Sequence, residues 1–257
     1  LIHGMSGSEN SSTIKKSAQF YLEQGFPTLR LNLRGAGAFR KSARGTYHAG
    51  RSEDLGEVLS QLNANLADQC FLVGHSLGGN MLIKAVSEIG VKINSNIPIL
   101  GAASLCAPFN MVESAVKFSR RRNYVYQNSI FSHIKASLSS VDGISERQLE
   151  RIHAFKTLRE LDDTVVAPSL GLSDAKQYYE KYSACKFAAD AKVPLLISTA
   201  LDDPWVCAKA YLDFDWSQNS NLIPAITKTG GHCGFHEKGH TSTWFDRRVA
   251  QLIDTLS

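Results

Sequence analysis

Residues 72–80 read LVGHSLGGN, and they place Ser76 among glycines directly behind an apolar run. That run, residues 70–73, is short and continuously apolar, as in strands that are buried on both faces of a parallel sheet. A Gly-x-Ser-x-Gly sequence between a strand and a helix is typical of a nucleophile elbow, a sharp turn that exposes the serine hydroxyl. Behind the turn, apolar residues recur at helical spacing: Leu82, Ala85, Val86 and Ile89.

A serine hydroxyl is a weak nucleophile until a base takes its proton, so an acid and a histidine are expected downstream. Asp202 and Asp203 follow the predicted strand VPLLISTA, and His232 follows a predicted strand that ends at Thr229. The carboxyl ends of strands are where an open α/β sheet gathers its functional residues. Because Asp203 is the third residue after Ala200, which ends the strand, we assign the acid to Asp203 rather than Asp202.

The loop at residues 3–7, HGMSG, is the candidate for the second half of an oxyanion hole. We expect the backbone N–H groups of Met5 and Leu77 to bind the developing negative charge, with Gly4 allowing the turn. A plain glycine turn is the alternative reading of this loop. Neither this loop nor residues 35–40 has the sequence pattern of a nucleotide-binding site. The loop has no Gly-Lys-Ser/Thr, and residues 35–40 lack the third glycine of a dinucleotide site.

Predicted strands alternate with predicted helices along most of the chain, which indicates an α/β fold with a mostly parallel sheet. Ser52 is the predicted cap of the second helix. The strand candidates after the first residues are 27–33, 70–73, 97–105, 193–200 and 221–229, and the helix candidates include 10–25, the segments after Ser52 and Ser76, and 241–256.

Residues 108–192 interrupt this alternation with a polar, mostly helical pattern and no convincing strand. We interpret the segment as a cap or lid inserted over the carboxyl edge of the sheet. The predicted α/β core is then made of residues 1–107 and 193–257.

The net charge and the cysteine content indicate which partners and which compartment to expect. A net charge of +4 over 257 residues, with one dense basic cluster at 120–122, does not favour a nucleic-acid partner. The five cysteines are odd in number and widely separated, which favours a reduced compartment, and we predict a cytoplasmic protein.

The first residues of the chain bear on its localisation. No stretch approaches the ~20 apolar residues needed to span a bilayer, and no charged and apolar leader is visible. The sequence starts at Leu1 without a methionine, and Leu1 and Ile2 resemble the end of a strand. We expect that the first strands of the fold lie upstream of this sequence, which leaves membrane association open.

Two histidine patterns have alternative readings. His232, His236 and His240 are four residues apart, which on a helix would form a metal-binding face. The glycines between and beside them argue against a helix, so no metal is assigned. His75 occupies a variable position of the elbow and is expected to pack beside the site, whereas the sequence leaves His48 either as a structural residue or as part of the pocket.

With these motifs, the sequence resembles the α/β-hydrolase superfamily, in particular the AB hydrolase family 4 group of bacterial hydrolases and eukaryotic membrane-linked lipases and esterases. The resemblance implies Ser76 as nucleophile, His232 as base and the Asp202–Asp203 pair as source of the acid. The matching stretches are HGMSGS from His3, NLRGAG from Asn32, YHAG from Tyr47 with Asp54 and Leu55, GHSLGGNMLIK from Gly74, APFN from Ala107, APSLGL from Ala167, the YY pair at Tyr178, ALDDPW from Ala200 and GGHCGF from Gly230.

The predicted activity is hydrolysis of a carboxylic ester with an apolar acyl chain, acting on a small-molecule ester or lipid without a metal or organic cofactor. Capture of the same acyl-enzyme by an alcohol, which would make an ester synthase or acyltransferase, is the first alternative. A non-catalytic binding protein on a hydrolase scaffold is the second.

Overall fold

A four-stranded parallel sheet forms the centre of the computed structural model, which describes residues 1–142 and 145–257. The strands lie in the order β1-β2-β3-β4, so each neighbour in sequence is also the neighbour in space. Their bounds are Cys70–His75 for β1, Ile99–Leu105 for β2, Leu195–Ala200 for β3 and Leu222–Thr227 for β4. All four carboxyl ends therefore meet at one edge of the sheet.

In the described residues, eleven α-helices surround the sheet. The longer ones are α1 (Ser12–Glu23), α2 (Ser52–Gln61), α3 (Leu77–Glu88), α4 (Met111–Phe118), α5 (Tyr124–Ser139), α6 (Glu146–Ala154), α9 (Ala175–Tyr182) and α11 (Trp244–Leu256), and the single-turn ones are α7 (Leu158–Leu161), α8 (Ala167–Ser169) and α10 (Lys209–Leu212). A π-helical turn, Asp162–Val166, joins α7 to α8. Short 3₁₀ helices occupy Gly37–Phe39, Arg121–Asn123, Ala184–Lys186, Ala188–Asp190 and Trp216–Gln218.

Apolar residues cover both faces of the sheet, because neighbouring residues of a strand point to opposite sides. On one face, Ala102 and Leu195 pack with the buried side of α3 and with α2. On the other, Ala103 and Leu196 pack with Phe245 and Val249 of α11 and with Tyr21 of α1. The predicted α/β fold with a parallel sheet between helices is confirmed.

The predicted strand at 27–33 is reduced to a single bridge. Leu31 pairs in parallel with Ile2, and Ile2 pairs in turn with Gly74 of β1. Residues 27–30 are largely exposed, and in the described residues the ladder contacts of the segment 27–33 are with Leu1 and Ile2 alone. The segment is therefore extended and attached to the sheet edge without forming a regular strand.

Ser52 is the first residue of α2 rather than its cap, so that part of the prediction is wrong. Its hydroxyl accepts a hydrogen bond from Lys84 and donates to Glu88, both on α3. Lys84 and Glu88 also form an ion pair at 2.9 Å. These three largely buried polar side chains link α2 to α3 behind the Ser76 turn.

The described residues of the segment 108–192 are mostly helical, and none of them belongs to a strand. Two apolar clusters hold these helices together. One contains Met111, Val166 and Tyr178, and the other contains Phe118, Phe131 and Leu161. The helical pattern is as predicted, while the division of the chain into core and cap stays a prediction.

Candidate active site

The turn between β1 and α3 holds Ser76 in an unusual backbone conformation. Ser76 has φ 52° and ψ −121°, a region that non-glycine residues rarely occupy. The turn also packs closely on the start of the chain, because a Cβ on Gly78 would lie 2.3 Å from the carbonyl oxygen of His3. A side chain at position 78 would push these segments apart, so glycine is required there.

Three side chains from different loops meet beside this turn. The Nε2 atom of His232 lies 3.0 Å from Ser76 Oγ, and its Nδ1 atom lies 2.9 Å from Asp203 Oδ2. Ser76, Asp203 and His232 follow the carboxyl ends of β1, β3 and β4, as expected for an open α/β sheet. In this geometry the imidazole can take the serine proton while the carboxylate holds its other nitrogen.

Asp203 is almost completely buried, and both of its oxygens are occupied. Oδ1 accepts the backbone N–H groups of Trp205 and Val206 at 2.8 and 3.0 Å, and Oδ2 faces His232. Burial raises the pKa of the Asp203 carboxyl, but the hydrogen bond from His232 and those two N–H groups lower it below its usual value. The group is therefore held as a carboxylate in a fixed orientation.

Asp202 lies apart from this chain of hydrogen bonds. Its side chain is exposed, and its Oδ1 accepts the backbone N–H of Gly231 at 2.9 Å. Asp202 thus connects the loop after β3 to the loop that carries His232. The structure brings Asp203, and not Asp202, to the imidazole.

The loop at residues 3–7 comes within contact distance of the serine. A Cβ on Gly4 would lie 2.9 Å from Ser76 Cβ, so only glycine fits at this position. The backbone N–H groups of Met5 and Leu77 donate to no protein acceptor in the described residues, and both residues line the cavity beside Ser76. Leu77 also begins α3, whose amino terminus favours negative charge.

Tyr47 and His3 hold this loop in place, and the sequence analysis assigned neither of them that role. Tyr47 Oη accepts the backbone N–H of Ser6 at 2.6 Å, where Ser6 has a positive φ of 59°. The His3 ring packs edge-on against Tyr47, and its Nδ1 lies 2.8 Å from the Gly4 carbonyl oxygen. The signals in the sequence were the YHAG stretch that carries Tyr47 and the HGMSGS stretch that begins at His3.

The His232 imidazole is surrounded by aromatic and sulfur groups. The Trp205 ring lies 4.3 Å from it, centroid to centroid, and shields it from one side. Burial lowers the pKa of His232, whereas the Cys233 side chain and the Asp203 carboxylate raise it, and the net direction is upward. The surroundings therefore favour the imidazolium that forms when the serine proton is taken.

One group of three possible metal ligands occurs in the described residues. Cys106, His232 and Cys233 place donor atoms within 4.8 Å of one another. Both His232 nitrogens already face Ser76 and Asp203, so we assign no metal to this group. His232, His236 and His240 do not form a helical metal-binding face, because residues 231–240 form turns and loop.

A cavity opens beside Ser76 and His232. Its walls are mainly apolar, and much of the lining comes from the helices of residues 108–192. The apolar and aromatic lining residues are Met5, Tyr47, Leu77, Pro108, Met111, Ala115, Phe118, Ile134, Leu138, Leu158, Leu161, Val165, Val166, Tyr178, Tyr179, Trp205 and Val206.

His48 lines this cavity, so the structure gives it both of the roles that the sequence left open. Its Nδ1 accepts the backbone N–H of Gly50 at 3.2 Å, and its ring packs edge-on against Tyr178. Burial lowers the pKa of His48 to about 4, with Arg51 adding to the effect. His48 is therefore a neutral wall residue near neutral pH. His75 is buried next to the turn and packs against Phe245.

In the part of the chain that the structure describes, no helix has the length and apolar character required to cross a bilayer.

Sequence comparison identifies a family and several relatives. The family model described as "Alpha/beta hydrolase family" matches residues 1–244. An "Abhydrolase domain-containing protein" of Dictyostelium discoideum is 28% identical over 262 residues, covering 99% of this chain and 65% of that protein. The "Medium-chain fatty acid ethyl ester synthase/esterase 2" of Saccharomyces cerevisiae is 25% identical over 283 residues, covering 98% of this chain and 61% of that protein. The chain thus spans less than two thirds of the length of these two relatives.

Comparison with solved structures supports the same architecture. The esterase Pf2001 of Pyrococcus furiosus aligns with a TM-score of 0.61 at 15% sequence identity, covering 99% of this chain and 81% of that one. At this level of identity the similarity concerns the fold alone. The resemblance to the α/β-hydrolase superfamily that the sequence motifs predicted is confirmed.

Proposed function

This chain belongs to the alpha/beta hydrolase family, and from that premise we propose that it is a serine hydrolase that cleaves carboxylic esters with an apolar acyl chain. The observation that carries the proposal is the hydrogen-bond chain from Ser76 through His232 to Asp203, which opens onto a mainly apolar cavity. An apolar cavity with a few convergent polar groups is the usual form of a small-molecule site.

Acylation begins when Ser76 Oγ attacks the ester carbonyl and His232 Nε2 takes the serine proton. The Asp203 carboxylate accepts the Nδ1–H bond throughout and stabilises the imidazolium. The N–H groups of Met5 and Leu77 bind the oxyanion of the tetrahedral intermediate. Collapse of that intermediate breaks the ester C–O bond, and the alcohol leaves with the proton from Nε2.

Deacylation repeats these steps with water in place of serine. His232 Nε2 takes a proton from a water molecule, whose oxygen attacks the acyl carbonyl of the acyl-enzyme. The second tetrahedral intermediate releases the carboxylic acid, and Ser76 Oγ recovers its proton from the imidazolium. No step in this scheme uses a metal or an organic cofactor.

The acyl chain is proposed to lie along the helices of residues 108–192, which act as the cap over the site. Leu138, Leu161 and Val165 supply aliphatic surface to the cavity, on the side contributed by these helices. Transfer of each methylene group from water to such a surface is favourable by about 0.8 kcal/mol. Longer acyl chains should therefore bind better until the cavity is filled.

Acyl transfer to an alcohol is the second candidate, because the yeast relative is named as both an ester synthase and an esterase. The acyl-enzyme would be the same, and an alcohol would replace water as the attacking nucleophile. Reactions run with added ethanol separate the two: an ester synthase yields the ethyl ester as the main product, whereas a hydrolase yields the free acid.

The test is hydrolysis of p-nitrophenyl esters of increasing acyl length, with Ser76→Ala as the matched control. We expect kcat/KM to rise from acetate towards a medium chain and then to level off or fall, and to be lost in the variant. If purified, folded protein hydrolyses no ester in the series, the proposal is wrong.

A further inference from the structure

Asp162 is a carboxyl group in the apolar wall of the cavity. It begins the π-helical turn Asp162–Val166, and it is only 5% exposed. Leu161 on one side belongs to one apolar cluster, and Val166 belongs to the other. Asp162 nevertheless lines the same cavity as Ser76.

Among the described residues, a single group, the Tyr179 hydroxyl, is a partner of the Asp162 oxygens. The Tyr179 hydroxyl donates to Oδ2 at 2.6 Å, and Tyr179 is itself buried on α9. In the described residues no group donates to Oδ1, and that atom is not among the fully buried atoms that lack a partner. Oδ1 is therefore an unpaired acceptor that keeps access to open space in a cavity wall.

The surroundings of Asp162 disfavour its charge. Burial and the neighbouring Asp163 raise the pKa of this carboxyl, the Tyr179 hydrogen bond opposes the rise, and the resulting pKa is about 7. Near neutral pH the group thus alternates between carboxylate and carboxylic acid. A neutral hydroxyl is the partner that suits both states, since it donates to the first and accepts from the second.

A structural role alone does not explain this arrangement. The neighbouring Asp163 is used structurally: its Oδ1 accepts the backbone N–H of Ala175, and its Oδ2 faces Arg159. Anchoring Tyr179 uses only Oδ2 of Asp162, and a second carboxyl oxygen in an apolar wall is unfavourable unless a polar group meets it there. π-Helical turns also occur frequently at functional sites.

We propose that Asp162 is a specificity-determining residue that binds a hydroxyl group on the acyl chain of the substrate, so that hydroxylated acyl esters are preferred over plain ones of the same length. The inference rests on the proposed function, since it places the acyl chain against the helices of residues 108–192. A hydroxyl that reaches Oδ1 would complete the hydrogen bonds of a carboxyl that is otherwise left half-paired in apolar surroundings.

The test compares p-nitrophenyl octanoate with octanoates that carry one hydroxyl, placed in turn at each chain carbon. For wild-type protein we expect at least one position to raise kcat/KM by about 10- to 100-fold over the plain ester, the range for one hydrogen bond to a partly charged group. Asp162→Leu should abolish this preference and improve the plain ester relative to the hydroxylated one.

Two further variants keep the test decisive. Asp163→Asn should retain the preference, because Asp163 binds the backbone of Ala175 and has no assigned contact with substrate. Asp162→Ala, which introduces no bulk, replaces the leucine variant if that one fails to fold by circular dichroism. A preference that survives removal of the Asp162 carboxyl overturns the inference, as does its absence at every position in wild-type protein.

The outcomes separate the inference from the proposed function. Hydrolysis of the plain octanoate without any preference for a hydroxyl refutes the role of Asp162 alone. A hydroxyl preference confined to the alcohol side, measured with octanoyl esters of hexanol and hexanediol, also refutes it. Failure to hydrolyse any ester refutes the proposed function instead.

Discussion

The turn around Ser76 and the cavity wall around Asp162 border the same cavity, but different contacts hold them. Backbone contacts fix the turn: the Ser76 N–H donates to the Leu105 carbonyl at 2.7 Å, and Gly78 packs on the His3 carbonyl. Side-chain packing fixes the wall, where Leu161 lies in an apolar cluster of helical residues. Substitutions at the turn should therefore slow the reaction of every ester, whereas substitutions in the wall should change which ester reacts best.

Ser76→Ala is expected to have the largest effect. Members of a catalytic triad act as a unit, so kcat should fall by about 10⁶-fold. The fall should be the same for acetate and octanoate esters, because both use the same nucleophile. Steady-state kinetics on the two esters measure this, and thermal unfolding checks that the variant is folded. Substantial activity in a folded Ser76→Ala protein would show that another residue attacks the ester.

The two neighbouring aspartates give the next largest contrast. Asp203→Asn should lower kcat by about 10⁴-fold, because the amide holds the imidazole in the wrong tautomer. Asp202→Asn should reduce kcat much less, since Asp202 contacts only the Gly231 N–H among the described groups of the site. Kinetics of the paired variants on one ester decide the assignment. A larger loss in the Asp202 variant would transfer the role of acid to that residue.

A substitution in the wall should act on substrate choice. Val165 lines the cavity, and Val165→Phe would fill part of it. We expect kcat/KM for the octanoate ester to fall by about 10-fold or more, because one or two methylene groups in an apolar pocket change discrimination by that much. The acetate ester should lose less.

Val116→Phe is the matched control for this wall variant, because Val116 is 66% exposed on α4 and does not line the cavity. It should leave the octanoate-to-acetate ratio of kcat/KM unchanged. Equal losses for acetate and octanoate in Val165→Phe would remove the distinction between turn and wall.

The expected shift in the pH dependence of kcat/KM is the smallest of these effects. The proposed mechanism needs a neutral His232, so activity should be lost as the pH falls through the pKa of that imidazole. Because the net pKa of His232 is raised, the acid limb of kcat/KM should have its midpoint above the ordinary histidine value of about 6.5. Cys233→Ser removes one cause of the rise, so the midpoint should move down. A midpoint that is below 6.5, or that does not move in this variant, would contradict this account of the imidazole.

The placement of the candidate catalytic residues was largely predictable from the sequence because each residue carries a local signal. Ser76 stands in a glycine pattern that only a tight turn requires, and Asp203 and His232 follow strands whose carboxyl ends share one edge. The choice of Asp203 over Asp202 from its distance to Ala200 agrees with the hydrogen bond to His232, although the roles themselves remain predictions.

The features that the sequence did not predict depend on distant partners. Tyr47 reaches Ser6 across 41 positions, and Ser52 contacts α3 instead of capping its own helix. The segment 27–33 had a strand pattern, but its ladder contacts in the described residues are with Leu1 and Ile2 only. Asp162 is significant only because the fold buries it in a cavity wall next to Tyr179.

The central claim is that Ser76 forms the covalent intermediate, and reaction with a fluorophosphonate followed by intact-protein and peptide mass spectrometry tests it most directly. A fluorophosphonate reacts with a serine only when a neighbouring base activates it. The account predicts one adduct per chain, on the peptide that contains Ser76, and none in Ser76→Ala. An unmodified wild-type protein, or an adduct that persists in the variant, would contradict it.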